Sequence, residues 1–237
     1  MSWNQQQQPS WVSVSTAEMS ERERAFFGKV YTWMFGGLLM TAVASLWVVN
    51  SPAMQRFVVF NPFVSIILMV AEIGIVFYAR SAIQRLSPAA AAVLFLTYSL
   101  LTGLTLSVIL FVYSSASIAQ AFVGAAGAFA GMSVWARVTH RDLSSWGSFF
   151  YMGVIGIILA SLANLFFNSG PLDMAIATVG VFIFVGLTAY KTQMLRGWAH
   201  AGGPQGETYA IYGALSLYIT FINLFLMLLR LFGGRRR

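Results

Sequence analysis

Glu72 is the residue whose chemistry the rest of the chain must accommodate. It lies deep in an apolar run, FVSIILMVAEIGIVFY at 63–78, with apolar neighbours on both sides. An ionised carboxylate at the centre of a bilayer costs several kcal/mol, about 2.5 to 3.5 on insertion scales. The acid must therefore be protonated, paired, or beside a wet cavity. Two roles are open to it: a neutral acid hydrogen-bonded inside a bundle, or a group linked to the passage of protons or cations. Lys191 closes a second apolar run, 174–190. It reads either as an anchor reaching the membrane surface along its aliphatic stem or as a side chain turned inward. Glu72 stands eight residues before Arg80, which puts it roughly 12 Å below the same interface. A Glu72–Lys191 pair is one arrangement this spacing permits.

Other polar residues fall at helical spacing. Gly213, Ser216, Thr220 and Asn223 form a stripe along the last apolar run, and Tyr98, Thr102 and Thr105 share a face of the third, with Gly103 beside them. Polar stripes of this kind point to a bundle interior. Their oxygens could ligate a cation or support a water path. Gly127 and Gly131, with Gly124 one turn earlier, read as a GxxxG helix contact. No metal-spaced histidine cluster, nucleophile elbow or phosphate-binding glycine loop is present. His140, His200, Asp142, Asp173 and Glu207 read as loop residues, and there are no cysteines. No enzymatic activity, cofactor or metal site is expected.

These groups need a scaffold, and composition says which kind. The chain is 58% hydrophobic and 9% charged, with a mean hydropathy of +0.74, against roughly 25% charged residues in a soluble domain. Seven runs are long enough to cross a bilayer, which takes about 20 residues each: 30–49, 63–78, 89–113, 118–135, 146–167, 174–190 and 209–232. They are too long and too uniformly apolar for barrel strands. The expected architecture is an all-α membrane protein with seven transmembrane helices, built as a flexible polar tail (1–25), a helical domain (26–234) and a basic end (235–237).

The net charge of +7 is not a nucleic-acid patch, because the basic residues sit in pairs at the ends of apolar runs. Arg22, Arg24, Lys29, Arg80, Arg85, Arg137, Arg141, Lys191 and Arg196 would share one side, while the opposite loops carry only Arg56. Positive residues favour the cytoplasm, so the N-terminus is expected there. Seven spans then put Arg235 to Arg237 outside, against the rule. Either the earlier loops dominate or the last segment re-enters; seven full spans are the expectation.

The chain resembles the Bax inhibitor-1 family, in its bacterial inner-membrane branch, from about Tyr31 to Gly234. The resemblance is carried by YTWMFGGLL at 31–39, LTYSLLTGLTLSVI at 96–109 and RDLSSWGSFFYMGVIGIILASLANLF at 141–166. GVFIFVGLTAYKTQML at 180–195 and YGALSLYITFINLFLMLLRLFGG at 212–234 complete it. It implies a seven-helix bundle with the seventh helix central, and a pH-sensitive calcium leak gated by two buried aspartates that share a proton. Two close carboxylates cannot cheaply both ionise. This chain has Lys191 and Thr220 at those two positions, so the resemblance carries over the fold and not the gate. The acid left for the role is Glu72, with Thr102, Thr105, Ser216, Thr220 and Asn223 as the oxygen-bearing interior and Lys191 beside them.

The resulting expectation is a multi-pass inner-membrane protein with a cation-leak or ion-homeostasis role and an altered gate. Its partners would be the lipid bilayer and calcium or protons. Some members of the family are linked to regulation of a membrane AAA protease. The alternative is therefore a non-conducting regulator, with the Gln-rich N-terminus as its handle.

Overall fold

A computed structural model describes residues 16–139, 141–201 and 206–234. Seven long helices dominate: α1 (Thr16–Asn50), α2 (Pro62–Ala82), α3 (Pro88–Leu106), α4 (Ser115–Val138), α5 (Gly147–Phe167), α6 (Gly170–Ala201) and α7 (Gly206–Phe232). All seven are long and apolar enough to cross a membrane. Residues 16–25 of the expected tail belong to α1; 1–15 and 235–237 lie outside the described residues.

The boundaries follow local chemistry. Asn61, Ser87 and Ser114 cap α2, α3 and α4 by accepting from backbone N–H groups of the first turn, and proline opens α2 and α3. A short polar residue at the cap satisfies N–H groups that have no helical partner, and proline has no N–H to leave unpaired. α5 ends at Asn168, whose left-handed backbone (φ 49°) stops the helix. Between α1 and α2 the chain forms one short helical turn, Pro52–Met54, and a wider one, Gln55–Val59.

α7 is the axis. It packs against α1, α3, α4 and α6, and 16 of its 27 residues are buried. α2 and α5 are peripheral. α2 lies on α3 and α5 on α6, and each leaves large apolar side chains, such as Phe63, Phe77, Leu165 and Phe166, exposed. In a bilayer those faces meet lipid, which is why their sequences show so little polarity.

α7 crosses without interruption. At its start the Thr208 hydroxyl donates to the Leu86 carbonyl in the α2–α3 connection. At its end Gly234 N donates to Ser117 Oγ (3.0 Å) and Gly234 O accepts from Ser114 N (3.3 Å), at the α3–α4 turn. These two connections lie at opposite ends of α3, so the last segment is a full span and not a re-entrant one.

Two expectations need correction. α6 does not end at the close of its apolar run, because Thr192, Leu195 and Ala199 remain buried beyond it. Lys191 is thus an interior position of α6. The face of α4 carrying Gly127 and Gly131 points away from the bundle, with no atom near enough to meet an added methyl. The GxxxG spacing is not a helix contact here. Close approaches occur elsewhere: a methyl on Gly103 of α3 would lie 2.6 Å from the Thr41 carbonyl of α1.

Candidate functional site

Lys191 is 8% exposed, which rules out an anchor at the surface. Its Nζ donates to Thr220 Oγ1 at 2.8 Å and to the Ser216 carbonyl at 3.1 Å, both on α7. Thr220 Oγ1 in turn donates to the Ser216 carbonyl at 3.0 Å. The stem can reach because α6 and α7 lie close where Gly213 meets Leu195; a methyl on Gly213 would stand 2.7 Å from Leu195 Cδ2. All of these partners are neutral. A buried ammonium without a counter-ion is held by hydrogen bonds alone, an expensive arrangement that only good geometry sustains.

Glu72 lies elsewhere. It is half-buried between α2 and α3, and its Oε1 accepts from Thr105 Oγ1 at 2.8 Å. Among the described residues it forms no ion pair with Lys191, whose amine is bonded to Thr220 and Ser216 of α7. The Glu72–Lys191 pair is therefore corrected. Each polar group is satisfied by the helix it packs on, Glu72 by α3 and Lys191 by α7.

Behind Glu72 the bundle is rich in hydroxyls. Thr102, one turn from Thr105, is 3% exposed and its Oγ1 has no hydrogen-bond partner among the described residues. Its polar neighbours are Glu72, Tyr98 and Tyr218. The Tyr218 hydroxyl pairs with Thr41 Oγ1 at 2.5 Å, and Thr41 Oγ1 also donates to the Ser99 carbonyl at 2.9 Å. Edge-on contacts of Phe95 and Tyr98 with the Tyr218 ring, at 5.7 and 5.9 Å between centroids, fix that ring in place. A row of oxygens thus runs from α2 through α3 to α7 and α1.

The residues singled out in the sequence divide into two groups on either side of α7. Glu72, Thr102 and Thr105 meet on the α2–α3 side. Lys191, Thr220 and the Ser216 carbonyl meet on the α6 side. Asn223 joins neither; its amide donates back to the Ile219 carbonyl of its own helix at 2.8 Å. No cluster of three or more acid, histidine or cysteine ligands exists among the described residues.

One centre escaped the sequence reading. Glu23 on α1, 9% exposed, accepts from Arg137 Nε of α4 at 3.2 Å and from Arg196 Nε of α6 at 3.2 Å, and it pairs with His200 Nε2 of α6 at 3.1 Å. Arg137 also stacks over the Phe27 ring, 4.6 Å from its centroid. His200 is thus a helix residue with a partner, and Asp173 and Glu207 likewise lie in the first turns of α6 and α7. His140 falls outside the described residues. One sequence signal was available for the Glu23 centre: an acid set directly between Arg22 and Arg24, in a flank that also carries Glu18, Glu21 and Lys29.

The comparisons bear on this geometry. A family model described as inhibitor of apoptosis-promoting Bax1 matches residues 23–237. Inner membrane protein YbhL of Escherichia coli K12 is 45% identical over 221 residues, covering 90% of this chain and 93% of that one. An uncharacterized protein of Deinococcus radiodurans is 44% identical over 228 residues, covering 94% and 96%. An uncharacterized membrane protein of Streptococcus pyogenes serotype M1 is 37% identical over 212 residues, covering 88% and 92%. The chain belongs to the Bax inhibitor-1 family.

Proposed function

We propose that this family member serves ion homeostasis in the bacterial inner membrane, with its N-terminus in the cytoplasm. In this reading it is closed to calcium and linked to protons or monovalent cations through Glu72. The observation that carries it is the Lys191 amine bonded to Thr220 and to the Ser216 carbonyl. The family resemblance places a pair of acids at those two positions. Calcium takes six to eight hard oxygen ligands, several of them usually carboxylate. An amine supplies none, and when protonated it repels the ion. The Glu72–Thr105 pair and the hydroxyls behind it offer one carboxylate and neutral oxygens, which suits a proton or a singly charged cation better than a divalent one.

Flux measurements in proteoliposomes test this. The native protein should pass no calcium, and Glu72→Gln should reduce its proton or potassium flux. Lys191→Asp combined with Thr220→Asp should introduce an acid-sensitive calcium flux. Calcium flux through the native protein equal to that of the double variant would overturn the proposal. The burial of α7 on nearly all sides also favours a second reading, a non-conducting regulator of a membrane protease. Under that reading no ion passes in any variant, and removing residues 1–15 abolishes association with the protease.

A further inference from the structure

The Glu23 centre carries more positive charge than it neutralises. Two arginines and one histidine converge on a single carboxylate, leaving an excess of at least one positive charge. Both arginines contact Glu23 through Nε. Their terminal amino groups make no hydrogen bond to the described residues, and the side chains remain 31% and 37% exposed. Glu23 therefore orients the two guanidinium groups and leaves their outer edges free. Around it, α1 packs along α3, α6 and α7, whereas its contact with α4 is slight at most. Arg137 spans that gap over Phe27. The result is a basic cluster near the C-terminal ends of α4 and α6, a buried carboxylate held by two part-exposed guanidinium groups, beside the exposed apolar side chains of Val134 and Val138 on α4.

We propose that this cluster binds a phosphate group, held by the outward amino groups of Arg137 and Arg196 with His200 beside them. Guanidinium forks match phosphate oxygens geometrically as well as in charge, and basic recesses between membrane helices recur as sites for acidic lipid headgroups. Because Val134 and Val138 are exposed on α4 beside Arg137, an anionic phospholipid is the ligand whose tails would meet apolar side chains while its headgroup meets the arginines. Free phosphate shares the headgroup chemistry and is separated by the test.

The purified full-length protein in neutral detergent is titrated with phosphatidylglycerol, phosphatidylcholine or inorganic phosphate. Bound lipid is read by native mass spectrometry and the thermal midpoint by tryptophan fluorescence. Phosphatidylglycerol should bind in preference to phosphatidylcholine and raise the midpoint. Arg137→Gln with Arg196→Gln should lower that preference about thirtyfold, the equivalent of two surface arginines. Glu23→Gln keeps both guanidinium groups and an amide oxygen that can still accept from them, so it should retain the preference even if its unliganded midpoint falls. A rise produced by inorganic phosphate alone would assign the site to the soluble ion. An equal response to both lipids, or loss of the preference in Glu23→Gln as complete as in the arginine double variant, would overturn the proposal, since the arginines would then act only through the fold.

Discussion

Lys191 of α6 donates its amine to the hydroxyl of Thr220 on α7, 2.8 Å away, and both groups converge on the carbonyl of Ser216. The pair ties the central helix to its most extensive neighbour, and its two members are not equivalent. Without Lys191, Thr220 keeps its bond to Ser216. Without the Thr220 hydroxyl, a buried amine loses its shorter acceptor. Thr220→Val should therefore destabilise the protein by about 1–3 kcal/mol. Lys191→Met, which replaces the amine with an apolar chain of similar length, should be near neutral or stabilising. Thermal unfolding in detergent decides; the reverse order would mean that Lys191 has an anionic partner.

Glu72 should couple to Thr105 and not to Lys191. In a double-mutant cycle with Glu72→Gln and Thr105→Val, the interaction energy should be about 1 kcal/mol, the usual value of a single net hydrogen bond. The corresponding cycle with Lys191→Met should fall below about 0.5 kcal/mol, as expected for groups without a shared partner. Coupling of similar size in both cycles would place the two charges in one network.

The seven spans and the axial position of α7 were legible in the chain because both rest on the length of apolar runs and the spacing of polar ones, which are local properties. What was not legible depended on which way a face turns. Lys191 at the close of a run reads equally as a surface anchor or an interior group, and packing of α6 against α4 and α7 decides it. Gly127 and Gly131 have the spacing of a helix contact, yet their face of α4 has nothing opposite it. Glu23 gathers partners 114, 173 and 177 residues away, a convergence that no window along the sequence contains. Glu72 was singled out because a carboxylate in oil needs a partner, and the partner comes from the adjoining α3.

Asp142, in the α4–α5 connection, predicts an acid-sensitive contribution to stability. Its Oδ1 accepts from Ser144 N (2.9 Å) and Ser144 Oγ (2.6 Å), at the turn that leads into α5. These bonds favour the ionised carboxyl and lower its pKa below the usual value. A depressed value in the folded state contributes stability above the unfolded pKa, about 3.9, and loses it as pH falls through the folded value. Asp142→Ala should therefore lower the melting midpoint at pH ~7, with the difference from the native protein shrinking below pH ~3. A difference that is constant across this range would assign the effect to the turn backbone and not to the charge.

Gly103 and Gly127 offer the sharpest contrast between spacing and packing. On α3, a methyl at Gly103 would meet the Thr41 carbonyl and the Ala44 Cβ of α1, each at 2.6 Å. Backbone cannot swing aside, and the same segment supplies Thr41 to Tyr218 and Ser45 to the Gly103 carbonyl. Gly103→Ala should force α1 and α3 apart and destabilise by about 1–3 kcal/mol, disturbing the hydroxyl row behind Glu72 as it does so. On α4, a methyl at Gly127 would meet nothing within 4 Å, so Gly127→Ala should gain helix propensity and stabilise by up to ~1 kcal/mol. Melting midpoints of the two variants in the same detergent test this directly. A destabilising Gly127→Ala would show that the outward face of α4 is covered after all, by a second copy of the chain or by another protein, and would revive the contact that the glycine spacing first suggested.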